Sequence, residues 1–192
     1  MMERHQIIEA MTSLKLYGMR ASFDEIAGKG LVRREELYPL LASLIRAEVT
    51  HRQSRSINYR ISGAKFPVLK DLDDFVFADT PVDEGMVREL AGGDFVEAKR
   101  NLILIGGTGT GKTHLAIAIT ANVVRAGARG RYFNTVDLVN QLEDEARRGK
   151  SGALAAQLSR LDLVVLDELG YLPLAQAGGQ RLFHRKRPVT VA

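Results

Sequence analysis

Cysteine is absent from the 192-residue sequence, and so is any run of 18 consecutive apolar residues. The first absence excludes disulfides and thiol-ligated metals, and the second argues against a membrane-spanning helix. No basic start is followed by an apolar core, so we predict no secretory signal and expect a cytoplasmic location. The histidines are scattered and lack carboxylates at metal-ligand spacing, which argues against a zinc site at His5, His51, His114 or His184.

The composition is that of an ordinary globular chain, with 45% hydrophobic and 26% charged residues. Its length suits one domain plus an appendage. The net charge of +4 is unevenly distributed: residues 1–66 carry 11 basic against 7 acidic side chains, residues 67–98 carry 2 against 9, and residues 99–192 carry 14 against 7. A mildly basic chain of this kind permits a polyanionic partner without requiring one.

A glycine-rich segment matches the phosphate-binding pattern GxxxxGK[ST] without a mismatch. An apolar run over residues 101–105 precedes it and predicts a buried parallel strand, and a helix is predicted from His114 to Ala126. The strand–loop–helix order is the context in which such loops bind phosphate; a glycine-rich turn with an incidental lysine is the alternative. The segment consists of Gly106, Gly107, Thr108, Gly109, Thr110, Gly111, Lys112 and Thr113.

The chemistry of this loop follows from its residue types. Glycines let successive backbone N–H groups point at a phosphate chain, and the helix N-terminus adds partial positive charge there. Lys112 is expected to reach the β- and γ-phosphates of a nucleotide such as ATP, and the Thr113 hydroxyl is expected to coordinate Mg²⁺.

A second apolar stretch, LDLVVLDE over residues 161–168, predicts a strand that ends in two acids. In parallel sheets, ligands gather at the carboxyl ends of strands, so these acids are expected to face the phosphate loop. Asp167 would then hold Mg²⁺, and Glu168 would act as the catalytic base that orients and deprotonates water. The alternative is a buried strand that happens to end in two solvated acids.

The first third of the chain is predicted to be helical. One helix is expected from the apolar positions Ile7 to Tyr17, ending at Gly18, and a shorter one around residues 21–27. A longer helix is expected over about 34–58, with an apolar face of Leu37, Leu40, Leu41, Leu44, Ile45 and Val49.

Basic residues accumulate toward the end of that long helix and just beyond it. Clustered lysines and arginines would neutralise phosphates and make nucleic-acid binding salt-dependent. A solvated helix face, or a dock for an acidic partner, is the alternative. The candidate DNA-binding residues are Arg46, Arg52, Arg55, Arg60 and Lys65.

Pro67 begins an acidic linker that runs to residue 98. A helix is predicted around residues 84–90, and the adenine of a nucleotide is expected near residues 75–81; an apolar staple between linker and domain is the alternative. After the phosphate loop we predict a strand over 131–134, a helix over 136–148 with Thr135 as its N-cap, and a helix over 151–160. Helices over 178–184 and a last strand from Val189 complete an α/β fold, a parallel sheet with helices on both faces.

Three sequence runs carry a resemblance to a known family: GGTGTGKTHLA at 106–116, LVVLDELGYLP at 163–173 and QAGGQRLFH at 176–184. With them the chain resembles the IstB/DnaC-like branch of the AAA+ P-loop ATPases, and more narrowly the ATP-binding helpers of insertion-sequence transposition. The resemblance implies ATP and Mg²⁺ as cofactors, Gly106–Thr113 with the adjoining His114 as the nucleotide site, Asp167 as metal ligand and Glu168 as catalytic base.

The resemblance also implies partners and an organisation. A homo-oligomer would assemble on double-stranded DNA and present a target site to a transposase, with residues 1–66 as a helical DNA-binding and assembly region, 67–98 as the linker and 99–192 as the ATPase core. Relatives continue into a sensor strand and an arginine supplied to a neighbouring subunit, so this core is expected to be C-terminally truncated and nucleotide binding is expected more firmly than turnover. A DnaC-type helicase loader and a truncated remnant without hydrolysis are the alternatives.

Overall fold

A computed structural model of the chain describes residues 4–28, 37–78, 80–149, 152–168 and 189–191. The chain forms two compact units, residues 1–58 and 59–192. Within the described ranges, none of the helices combines the length and apolar character that crossing a lipid bilayer requires. The predicted turn at 170–173 and the predicted helix at 178–184 lie outside the described residues.

The first unit contains α1 (Arg4–Ser13), α2 (Tyr17–Ala27) and most of α3 (Leu37–Ala64). The prediction that the first helix reaches Tyr17 is wrong, because α1 ends at Ser13 and Tyr17 begins α2. Lys15 takes a left-handed conformation (φ 57°), and the N–H of Leu16 donates to the carbonyl of Met11 at 2.7 Å. This six-to-one hydrogen bond is typical of helix C-termini, where the left-handed residue is usually glycine. Because lysine occupies that position here, the sequence did not indicate the end of α1.

The predicted apolar face of α3 is only partly buried. Leu44 is buried, with 3% of its surface exposed, whereas Leu41, Ile45 and Val49 are 42%, 56% and 57% exposed. The face that packs within the unit is set by α2, because a Cβ at Gly18 would lie 2.5 Å from the carbonyl oxygen of Ala47. Such a close approach requires glycine, and it turns the side of α3 that carries Leu44 inward.

A carboxylate lies at that helix crossing. Glu48 is 6% exposed, and its Oε2 accepts hydrogen bonds from the backbone N–H groups of Gly18 (2.8 Å) and Met19 (3.1 Å) at the start of α2. Arg52 donates to Oε1 at 2.6 Å. The hydrogen bond from Arg52, followed by the two backbone N–H groups, holds the pKa of Glu48 below its usual value despite its burial.

We expect Glu48→Gln to lower the melting temperature of the protein at neutral pH, because a neutral amide is a weaker acceptor for the α2 N-terminus and for Arg52. The folded-state pKa is lowered, so the ionised carboxylate stabilises the fold above its ordinary pKa, and this contribution is lost as the pH falls through the lowered value. Melting curves at pH 7 and pH 3.5 to 4 should therefore show a difference between wild type and variant that shrinks with acidity. Glu9→Gln, at an exposed position of α1, is the matched control; a pH-independent difference would contradict the assignment.

The second unit is built on a four-stranded parallel sheet with strand order β1-β4-β3-β2. The strands are β1 (Leu102–Ile103), β2 (Gly130–Asn134), β3 (Leu163–Asp167) and β4 (Val189–Val191). The helices are α4 (Glu84–Gly92), α5 (Asp94–Glu97), α6 (Lys112–Ala126), α7 (Thr135–Arg147) and α8 (Ala153–Ser159), and a 3₁₀ turn spans Leu72–Asp74. β4 confirms the strand predicted from residue 189.

Apolar side chains cover both faces of the sheet, which confirms the predicted α/β class. On one face, Leu115 and Ile119 of α6 pack with Val87 of α4 and with Leu163. On the other face, Leu138 of α7 and Leu158 of α8 pack against the side chains of Phe133, Val164 and Leu166. Every residue of β3 is buried, so the strand that ends in Asp167 is the centre of the core.

Two local predictions in this unit are wrong. The run over residues 101–105 is not a fully buried strand: Leu102 and Leu104 pack against the α6 cluster, but Ile103 and Ile105 are 61% and 92% exposed. Successive strand residues face opposite sides of a sheet, and among the described residues only one side of β1 is covered. The N-cap of α7 is Asn134 rather than Thr135, because the Asn134 side chain accepts from the N–H groups of residues 136 and 137.

Candidate functional site

The phosphate loop connects β1 to α6. Its last glycine, Gly111, has φ 84° and directly precedes the helix, where the N–H of Leu115 donates to the Gly111 carbonyl at 2.9 Å. A Cβ at Gly111 would lie 2.5 Å from Cε2 of Phe75, so conformation and space both require glycine here. The turn therefore ends at the N-terminus of a 15-residue helix, whose first N–H groups have no intrahelical acceptor.

The side chains of Lys112 and Thr110 both bond to the backbone of this loop. The Lys112 ammonium donates to the carbonyl of Gly107 at 2.7 Å, and the Thr110 hydroxyl donates to the same oxygen at 2.9 Å. The lysine side chain is half-buried, and it belongs to the first turn of α6, whose backbone amides lack intrahelical acceptors. An ammonium beside such amides attracts anions, and phosphate in particular.

Thr113 and Asp167 are brought together although β4 lies between β1 and β3. The Thr113 hydroxyl donates to Oδ2 of Asp167 at 2.9 Å, and Asp167 is 6% exposed at the end of β3. The loop and the acidic strand end thus share one edge of the sheet, as expected for parallel strands.

Asp167 has three more hydrogen-bond donors, none of which the sequence analysis identified. The Tyr132 hydroxyl donates to Oδ2 at 2.7 Å, the N–H of Glu168 donates to Oδ1 at 2.9 Å, and the Thr135 hydroxyl donates to the backbone carbonyl at 2.5 Å. Burial, and then the hydrogen bond to Asp167, raise the pKa of Tyr132 well above its usual range, so this hydroxyl remains a donor. The carboxylate is therefore held in one orientation.

Glu168 is exposed and takes a left-handed backbone conformation (φ 60°) directly after β3. Its Oε2 accepts a hydrogen bond from the Asn134 amide at 2.5 Å, and the Oδ1 of Asn134 caps α7. A non-glycine residue with positive φ is uncommon and concentrates at functional sites. Asn134 thus connects the candidate base to the start of α7, a contact that the β2–β3 pairing of Asn134 with Asp167 makes possible.

The oxygen groups at this edge fit Mg²⁺. The Thr113 hydroxyl gives its proton to Asp167 and keeps its lone pairs for a cation, and Asp167 contributes a carboxylate. Mg²⁺ prefers such hard oxygen ligands and is usually held by one or two protein groups plus phosphate and water. Among the described residues no group of three or more His, Cys, Asp or Glu side chains could form a metal cage.

The acidic linker contacts α6 in its first turn, at His114, and in its last turn, at Arg125. Nε2 of His114 lies 2.9 Å from the carbonyl oxygen of Asp71, and Arg125 makes two hydrogen bonds with the Asp71 carboxylate, at 2.6 and 2.9 Å. The Arg125 guanidinium lowers the pKa of Asp71. The His114 ring is therefore held by the linker, and its contact with nucleotide remains a prediction.

The expected adenine region begins in the same linker. The Phe75 ring packs edge-on against His114 (5.3 Å between centroids) and Phe77 (4.8 Å), and both phenylalanines contact the α6 core cluster. This packing is what an apolar staple requires, and it also places an aromatic ring beside Gly111 of the loop. Binding of adenine near residues 75–81 remains a prediction.

Four of the five candidate DNA-binding residues have partners within the protein. Arg52 pairs with Glu48, the Arg55 guanidinium lies 5.8 Å from the Tyr17 ring centroid, and Arg60 donates to the carbonyl of Val124 at 3.1 Å. Arg46 donates to the carbonyl of Ala42 in its own helix at 3.3 Å. Lys65 is exposed and has φ 56° just after α3. Arg60 is half-buried, which makes it the least accessible to phosphate.

Comparison with known proteins agrees with this geometry. The profile of the family described as "IstB-like ATP binding protein" matches residues 9–187. A protein of insertion sequence IS5376 from Geobacillus stearothermophilus, named for ATP binding, is 36% identical over 74% of this chain and 57% of its own length. The corresponding IS21 protein of Pseudomonas aeruginosa is 34% identical over 88% of this chain and 64% of its own length. The chain thus spans less than two thirds of either relative.

Solved structures share the fold. AMPPCP-bound DnaA from Aquifex aeolicus superposes with a TM-score of 0.59 at 19% identity, over 67% of this chain and 42% of that one. The DnaC helicase loader superposes with a TM-score of 0.51 at 24% identity, over 63% and 74%. At these identities the likeness is one of fold, and it agrees with the predicted α/β domain.

Proposed function

The chain belongs to the IstB-like ATP-binding protein family, and from that premise we propose that it binds ATP with Mg²⁺ and acts as a DNA-associated helper of a transposase. The proposed binding of ATP and Mg²⁺ rests on the hydrogen bond between Thr113 of the phosphate loop and Asp167 of β3 (2.9 Å). The Lys112 ammonium, bonded to the loop at Gly107, supports it. The helper role is supported by relatives named for insertion sequences.

Each residue at the sheet edge has a role in this proposal. The loop amides and Lys112 bind the phosphate chain, while Thr113 and Asp167 hold the cation. Mg²⁺ supplies neutralisation of the phosphate charge when it is bound. Glu168, exposed and adjacent to Asp167, orients water and accepts its proton.

A helicase loader of the DnaC type would use the same nucleotide chemistry. The structural likeness to the DnaC loader, at 24% identity, supports a shared fold and no shared partner. The relatives at 34% and 36% identity are insertion-sequence proteins, so we favour a transposase over a helicase as the partner. Copurification of the protein with each candidate partner in the presence of Mg-ATP distinguishes the two, and retention by a replicative helicase alone would overturn the choice.

DNA binding provides a separate test. We expect wild-type protein to bind duplex DNA with an affinity that falls as salt rises, because each cation–phosphate contact contributes about 0.9 to the slope of log K against log salt. The double variant Arg46→Ala/Arg55→Ala should lower that slope by about 2 in fluorescence anisotropy titrations. Both residues are exposed and belong to the first unit.

Arg148→Ala is the matched control, since Arg148 is exposed at the end of α7 and outside the proposed surface. Melting curves of the double variant verify that losing the Arg55–Tyr17 contact leaves the fold intact. Equal salt slopes for wild type and the double variant would contradict a DNA role for these arginines.

A further inference from the structure

The hydroxyl of Tyr132 occupies a position at the sheet edge to which neither the motifs nor the family comparison assigns a role. The β2–β3 register pairs Tyr132 with Val165, two residues before Asp167. Two strand residues span about 6.6 Å, roughly the reach of a tyrosine side chain along the strand. The Tyr132 hydroxyl thereby meets the Asp167 carboxylate at 2.7 Å from a half-buried position.

Tyr132 and Thr113 converge on the same oxygen. Both hydroxyls donate to Oδ2 of Asp167, at 2.7 and 2.9 Å, and the N–H of Glu168 donates to Oδ1 at 2.9 Å. Three donors, two on one oxygen and one on the other, restrain the orientation of the carboxylate. Without Tyr132, Thr113 would be the one remaining donor to Oδ2 among the described residues, and the carboxylate would be held less firmly.

We propose that Tyr132 is a positioning residue for the cation site, orienting the Asp167 carboxylate so that the Thr113 hydroxyl and Asp167 present their oxygens to Mg²⁺ together. This inference rests on the proposed nucleotide function and adds a residue to it. It assigns to Tyr132 a contribution to cation binding and none to phosphate binding by the loop, because the Tyr132 hydroxyl bonds to Asp167 and not to the described loop residues 106–112. Groups that orient metal ligands in this way typically contribute 10- to 100-fold to metal affinity or activity.

The test measures how much Mg²⁺ improves nucleotide binding. A fluorescent, non-hydrolysable ATP analogue is titrated with wild type and with Tyr132→Phe, once in excess Mg²⁺ and once in EDTA. We expect the variant to lose about tenfold of the Mg²⁺-dependent gain in affinity while its dissociation constant in EDTA stays unchanged. Tyr59→Phe, at a position 82% exposed on α3, is the matched control and should behave as wild type.

A double-mutant cycle shows whether the effect passes through Asp167. Tyr132→Phe introduced into Asp167→Asn should cause no further loss of the Mg²⁺-dependent gain, because the group it positions has been altered. Melting curves without ligand verify that both single variants fold.

The outcomes separate this inference from the function on which it rests. An unchanged Mg²⁺-dependent gain in Tyr132→Phe, or equal weakening with Mg²⁺ and in EDTA, overturns the positioning role while nucleotide binding stands. A wild-type protein that binds no nucleotide under either condition contradicts the proposed function, and the inference with it.

Discussion

Replacing Lys112 with alanine should abolish the stabilisation that Mg-ATP gives to the folded protein. A ligand at a hundredfold excess over its dissociation constant stabilises the native state by about 2.7 kcal/mol, and we expect the variant to lose nearly all of this. The ammonium lies on the loop, bonded to the carbonyl of Gly107 at 2.7 Å, and Lys112 is the first residue of the helix whose N-terminus would hold the phosphates. Thermal melts with and without Mg-ATP measure the effect.

Two comparisons sharpen that experiment. Lys70→Ala removes a lysine from the linker outside the loop and should leave the nucleotide-induced shift intact. Melting curves of Lys112→Ala without nucleotide verify that losing the hydrogen bond to Gly107 leaves the fold intact. A nucleotide-induced shift that survives in Lys112→Ala would remove the phosphate loop from the proposed function.

Replacing Glu168 with glutamine should lower the rate of ATP turnover by about 10² to 10⁴ and leave the dissociation constant for nucleotide unchanged. The glutamine keeps the size of the side chain and can still accept the Asn134 hydrogen bond at Oε, but it cannot take a proton from water. Single-turnover hydrolysis, with and without duplex DNA, measures the rate, and titration with a non-hydrolysable analogue measures binding.

The control for this variant is Glu89→Gln, an exposed acid on α4 that lies outside the site. Persistent turnover in Glu168→Gln would assign the base to another residue. Wild-type protein that binds nucleotide but shows no turnover under either condition would favour the binding-only alternative, for which the Lys112 result still holds.

Much of the second unit was predictable, because its elements have strong local patterns. Apolar runs predicted β3 and α6, and the glycine pattern between β1 and α6 predicted the phosphate-binding loop. The parallel-sheet rule then predicted that Asp167 would meet the loop. What it could not supply was the strand order, since β4, a three-residue strand at 189–191, inserts between β1 and β3 and pairs with both.

The site residues that escaped prediction were those whose role depends on register. Nothing in RYFN distinguishes Tyr132 or Asn134 from ordinary strand residues until β2 is paired with β3. Threonine is a common helix cap, but the Thr135 hydroxyl donates to the carbonyl of Asp167, and Asn134 caps the helix. In the first unit, the burial of Glu48 depends on a helix crossing at Gly18 that the periodicity of α3 alone does not reveal.

Helix α6 is held at both ends by parts of the chain that precede it. Its fifteen residues span about 22 Å. The phosphate loop lies at its N-terminus, and near its C-terminus the carbonyl of Val124 accepts a hydrogen bond from Arg60 of α3. Asp71 of the linker forms an ion pair with Arg125 in the same last turn of α6. The end of α3, the linker and the phosphate loop are therefore all attached to one helix, so Arg60, Asp71 and Gly111 share a common support.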